Sequence, residues 1–161
     1  MSLPLRAGNL NFLLEQWERV QRWRERCLIG SYELDYYEAF FINAYHLRDW
    51  IEQWLVKNNK EDALLQLKQD FNAIQYLKIL KDVCNGCKHF TLVRKAEIGK
   101  QFAIIYEYDP WGNKLVILIG GIKYLLDDLF NEVYNYWENF MKKHGLDSLK
   151  EDFRGPAFPF D

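Results

Sequence analysis

The sequence predicts an α+β fold that is mainly helical: a four-helix bundle with a three-stranded antiparallel β-meander inserted before the last helix. Three observations carry that prediction. Apolar residues recur every three or four positions from about Asn9 to Asn85. The period then shortens to two over "HFTLVRK", "KQFAIIYEY" and "KLVILIG". The helical period returns from Ile122 onward. No linker, repeat or composition shift divides the chain, so residues 1–161 read as a single domain.

The first helix runs from about Asn9 to Leu28, with Leu10, Leu13, Leu14, Trp17, Val20, Cys27 and Leu28 on one stripe. Gly30 is a stop signal and Ser31 an N-cap for a second helix, about Tyr32 to Lys57. Its apolar stripe holds Tyr37, Phe40, Phe41, Ala44, Leu47, Ile51, Trp54 and Leu55. "KNNKED" is a polar loop. A third helix, about Glu61 to Asn85, carries Leu64, Leu67, Phe71, Ile74 and Leu77 at spacings of three and four. Strands follow at 89–95, 100–108 and 114–120, the last two separated by the turn signal "DPWGN". The final helix, about Ile122 to His144, aligns Ile122, Leu125, Leu126, Leu129, Val133, Trp137 and Phe140 before Gly145 ends it.

Composition narrows the function classes. Hydrophobic residues make up 49% and aromatics 17%, enough for a proper core and an aromatic excess that packs inside or forms a partner surface. A formal net charge of −2 provides no global field for nucleic acid, so any RNA contact must be a local patch. The longest apolar run, "KLVILIGGI", is too short to span a bilayer, and "MSLPLRAGNLNF" lacks the apolar run of a signal peptide. Three cysteines, an odd count without secretory context, do not read as a disulfide framework. The expected setting is the cytoplasm, with no membrane partner.

Two short stretches concentrate the chemistry: "YHLRDW" at 45–50 and "CNGCKHF" at 84–90. On a continuous third helix, the direction of Leu67, Phe71 and Ile74 is continued by Lys81, Asn85, Lys88 and His89, so the apolar stripe turns polar in its last two turns. The plain reading is a helix emerging into solvent with Asn85-Gly86 as its C-cap. In "YHLRDW", Asp49 lies three residues after His46 and can orient or charge its imidazole, while Asn43, His46 and Trp50 share a flank opposite the core stripe. The plain reading there is a hydrogen-bonded histidine beside an Arg48–Asp49 surface pair. Two histidines, His46 and His89, would suffice for general acid–base cleavage of RNA through its own 2′-hydroxyl.

Metal and cofactor templates fit poorly. Cys84 and Cys87 with His89 and His46 would make a Cys₂His₂ zinc set, but only one C-x₂-C half-site is present. P-loop, dinucleotide-binding, H-E-x-x-H and G-x-S-x-G motifs do not occur. No cofactor and no metal ligand are expected.

The Asn85-to-His89 helix end resembles the active-site motif of the HEPN family, helical-bundle proteins that include RNA-cleaving toxins and defence proteins. Asn85 matches the polar position and His89 the histidine, whereas Cys84 stands where the family carries arginine. The pair "YHLRDW" and "CNGCKH" also looks like a group of small bacterial proteins with a histidine–aspartate helix followed by an Asn-x-x-Lys-His helix end. The resemblance implies a metal-independent endoribonuclease or an RNA-binding protein, with His89, Asn85, Lys88 and His46 as catalytic candidates. Asp49, Trp50 and Arg94 are the binding candidates, and the family often dimerises to face one RNA. The competing reading is a non-catalytic interaction module that binds a protein partner or forms a homodimer; a small zinc-containing domain is the third.

Overall fold

The element that organises the molecule is the most aromatic helix. The computed structural model describes residues 10–29, 34–88, 105–108, 115–119 and 122–147. In chain order these are α1 (Leu10–Ile29), α2 (Leu34–Lys57), α3 (Glu61–Ala73), α4 (Gln75–Lys88), β1 (Ile105–Tyr108), β2 (Leu115–Ile119), β3 (Ile122–Leu125) and α5 (Leu126–Lys143). The molecule is mainly helical with a small antiparallel sheet.

α2 buries Tyr37, Phe40, Phe41, Ala44, Leu47, Ile51 and Leu55, at helical spacing, and touches every other helix. Each such large side chain contributes roughly 1.5–3 kcal/mol on burial. On one flank α1 runs in the opposite direction, as the pairs Phe12–Trp50, Gln16–Asn43 and Trp23–Tyr36 show. Gln16, a buried amide, is satisfied by the Asn43 carbonyl at 2.9 Å and its side-chain oxygen at 3.2 Å. On the other flank α3 and α4 also run against α2: Lys68 meets Glu52, Arg48 lies over Phe71, and Cys84 meets Phe41. α5 runs along α2 in the same sense, with Tyr37 against Phe130 and its hydroxyl donating to Asp127 at 2.6 Å.

The helix ends follow from local chemistry. α2 closes with Asn59 at φ 54°, and Lys60 donates to the Leu55 carbonyl at 2.9 Å. α5 closes with Gly145 at φ 65°, Gly145 donating to Lys142 and Leu146 to Met141. Both patterns are Schellman closures, in which a left-handed residue lets the next amides satisfy the last turn's carbonyls. Leu146 is then fully buried. Asp127 and Asp128 occupy the first turn of α5, where carboxylates favour the positive end of the helix.

The expected single helix over 61–85 is two helices. Ile74 adopts φ −80°, ψ 121°, an extended conformation, while its amide still donates to the Asp70 carbonyl at 2.8 Å. Neither proline nor glycine causes the break. The cause lies in the apolar phase. On an unbroken helix Lys78, Lys81 and Asn85 would follow Leu67 and Phe71 into the core, and Leu80 and Val83 would point away. The break turns α4 so that Leu77, Ile79, Leu80, Val83 and Cys84 are buried. The apparent polar continuation of the core stripe was the signature of a kink.

Further differences concern the sheet and two ends. The strand expected at 100–108 contains β1, and that at 114–120 contains β2; they pair antiparallel from Tyr108↔Leu115 to Ile105↔Leu118. The strand expected at 89–95 lies outside the described residues. A third strand instead comes from residues read as the start of the last helix: β3 pairs with β2 from Ile119↔Ile122 to Val116↔Leu125, giving the order β1-β2-β3. Ile122, expected in the core, is therefore a strand residue and 51% exposed. Leu28 is also exposed, because α1 extends beyond its last core contact at Cys27. Ile117 seats the sheet in the core, and Gln75 donates to the Tyr124 hydroxyl at 3.2 Å.

Candidate functional site

α4 fixes the site because its rotation sorts the predicted residues into buried and half-exposed. Cys84, which the HEPN resemblance would set at an arginine position, is fully buried, and its thiol donates to the Phe41 carbonyl at 3.2 Å. A guanidinium there would enter the core. The helix continues to Lys88, so Gly86 lies within it and does not cap it. Asn85 is half-buried on the flank of α4. Lys78, Lys81 and Asn85 follow at spacings of three and four and form one row beside the core stripe.

Lys81 of this row lies near Tyr45, in the middle of α2. Lys81 and Arg48 both act on the Tyr45 phenol; burial pushes it above its ordinary value, and these two cations pull it back. The Arg48 guanidinium lies 4.9 Å from the Phe71 ring centre and 3.9 Å from Glu52, which also holds Lys68 at 3.5 Å. The expected Arg48–Asp49 pair is thus replaced: Arg48 reaches one turn on to Glu52, and Asp49 turns to His46, with Nδ1 and Oδ2 3.8 Å apart. The two rings of Tyr45 and His46 lie 6.3 Å apart. Tyr45, His46, Arg48 and Asp49 of α2 and Lys81 of α4 therefore make a polar face across the two helices, and Asn85 follows Lys81 one turn on along α4.

Not all candidates join it. Trp50 packs on Phe12 of α1, with ring centres 6.0 Å apart, and Asn43 is bonded to Gln16. The flank expected opposite the core stripe is in part the α1 contact. His89 and Arg94 lie outside the described residues. Because α2 and α4 run oppositely, with Cys84 level with Phe41, His46 and position 88 are offset by about 13 Å along the axis at 1.5 Å per residue. The described face brings one histidine, not two, to the cationic row. Among the described residues no three His, Cys, Asp or Glu side chains form a metal-holding group. The hydrogen-bonded, buried thiol of Cys84 is also unsuited to the zinc set considered from the sequence. No helix is long and apolar enough to cross a membrane among these residues.

Sequence reading missed a second polar cluster, between α3 and α5. The Tyr136 hydroxyl donates to Asp70 Oδ2 at 3.0 Å, and Lys143 donates to Gln66 Oε1 at 2.7 Å. Burial, then Asp70, pushes the Tyr136 phenol far above its ordinary value. His144 packs at a tilt on Phe140 with ring centres 4.4 Å apart, and burial together with Lys143 lowers its pKa, against the pull of Asp70. The signal was present: Asp70 interrupts the Leu67–Phe71 stripe, and a carboxylate on an apolar stripe implies a partner. No protein family, curated protein or solved structure matches the chain.

Proposed function

We propose that this is a HEPN-like, cytoplasmic helical protein that binds RNA through the α2–α4 face. The observation that carries this reading is the break at Ile74, which leaves Lys78, Lys81 and Asn85 half-buried along one side of α4, with Lys81 near enough to Tyr45 to act on its phenol. Half-exposed cations interleaved with an aromatic ring suit phosphates and unstacked bases. The helix directions support reading α1, α2, the kinked α3–α4 rod and α5 as a four-rod bundle of the kind that the family resemblance implies. The buried Cys84 at the arginine position directs the reading to binding rather than cleavage, since nothing at that position stabilises a scissile phosphate.

Fluorescence anisotropy with a labelled single-stranded RNA tests this. Binding at about 50 mM salt, weakened several-fold by Lys78→Gln with Lys81→Gln while the helical signal is unchanged, is the expected result. Binding that ignores both substitutions would remove RNA from the α2–α4 face. Accumulating RNA fragments that His89→Ala abolishes would instead make the protein a ribonuclease. A homodimer without RNA affinity would favour the interaction-module reading.

A further inference from the structure

α1 carries a second cationic surface on the opposite flank of α2. Arg19, Arg22 and Arg26 are all exposed and follow at spacings of three and four, one per turn, over about 10 Å of helix. Glu15, Glu18 and Glu25 lie on the same helix, yet among the described residues none of the three arginines forms an ion pair. An aromatic pair borders the row: the Arg26 guanidinium sits 4.6 Å from the Trp23 ring centre, and Trp23 lies 6.2 Å from Tyr36 of α2. A fourth cation, Arg24, is turned inward instead, 4.1 Å from the Tyr134 ring centre. The outward row is therefore distinct from the arginine that packs α1 onto α5.

We infer that the Arg19–Arg22–Arg26 row, with Trp23, is a binding surface for single-stranded RNA, separate from the α2–α4 face. Guanidinium groups spaced by one turn meet successive phosphates of an extended strand, and the Arg26–Trp23 stack presents a planar cation on which a base can stack. An extended single strand suits a row lying along one helix, whereas the chain's net negative charge gives no wide basic field for a duplex. This inference rests on the RNA reading above but on different residues.

The test is the salt dependence of RNA binding by the full chain carrying Arg19→Gln, Arg22→Gln and Arg26→Gln together. These are exposed positions, and circular dichroism verifies that the fold is kept. Losing three phosphate contacts lowers the slope of log affinity against log salt by about 2, and weakens binding roughly tenfold at about 50 mM salt. An unchanged slope overturns the inference. If Lys78→Gln with Lys81→Gln weakens RNA binding while the arginine variant does not, the α2–α4 reading stands and this one fails. The reverse pattern keeps this surface and removes the other. Failure of the wild-type chain to bind RNA overturns both. Vesicles of phosphatidylserine and phosphatidylcholine are the control: arginine-dependent binding to them without an RNA effect assigns the row to a lipid surface and overturns the RNA assignment.

Discussion

The α2–α4 face and the α3–α5 seam use similar residue types for different ends. On the face, His46 and Asp49 stand 3.8 Å apart, Arg48 and Glu52 3.9 Å, and Lys68 and Glu52 3.5 Å, all at partly exposed positions. Pairs of this kind contribute between nothing and about 1 kcal/mol, so their charges remain available to a partner. In the seam, Tyr136 donates to Asp70 at 3.0 Å between packed helices, and the phenol's titration is displaced far upward by burial. Strong perturbation of a titrating group here follows burial between helices. It marks a clamp, while the candidate binding face is loosely paired and close to water.

The comparison can be broken at its strongest point first. Cys84→Arg supplies the arginine that the HEPN resemblance calls for but places a cation at a fully buried position, and it should cost roughly 3–5 kcal/mol in urea unfolding. A stable Cys84→Arg protein with new RNA cleavage would show that α4 can turn this position outward. Next, Tyr136→Phe removes the donor to Asp70 and should cost about 1–2 kcal/mol, whereas Lys81→Gln on the face should stay within about 0.5 kcal/mol. Equal costs at the two positions would erase the distinction between clamp and face.

Smaller effects sharpen it. His144 titrates below the ordinary imidazole value of 6.5 in the folded chain, so the unfolded chain takes up its proton first as pH falls. Stability linked to His144 is complete above about pH 6.5 and declines below it, toward the folded value. The unfolding midpoint of the wild type should therefore drop more between about pH 7.5 and 5.5 than that of His144→Gln. Thiol chemistry reads the same burial. The Cys27 thiol is pushed up to about 12, by burial first and Asp127 second, and Cys84 is fully enclosed. In a Cys87→Ser background, a disulfide reagent near neutral pH should titrate neither native thiol and both after unfolding.

The residues that were legible and those that were not separate on physical grounds. The α2 stripe from Tyr37 to Leu55 was readable because one period runs through the whole helix. The same held for Leu126, Leu129, Val133, Trp137 and Phe140 of α5. The kink was half visible: Lys81 and Asn85 on a core stripe looked like a polar site, when they were the sign that the helix turns at Ile74. β3 was hidden because Ile122 and Leu125 also fit a helical spacing, and only pairing with β2 claims them for the sheet. Trp50 and Asn43 fell opposite the core stripe of a lone helix, and their contact with α1 was hidden since the sequence does not say where α1 lies.

By itself the sequence determined the local periods and the helix stop at Gly145, and it set Asp49 within reach of both His46 and Arg48, because each depends on residues within a turn or two. Tertiary structure decided which of those residues meet water. Burying Leu80, Val83 and Cys84 against α2 is worth more than one unbroken helix, so the chain breaks at Ile74 and turns α4. That rotation places Cys84 in the core and Lys81 near Tyr45, a long-range outcome that no short motif encodes.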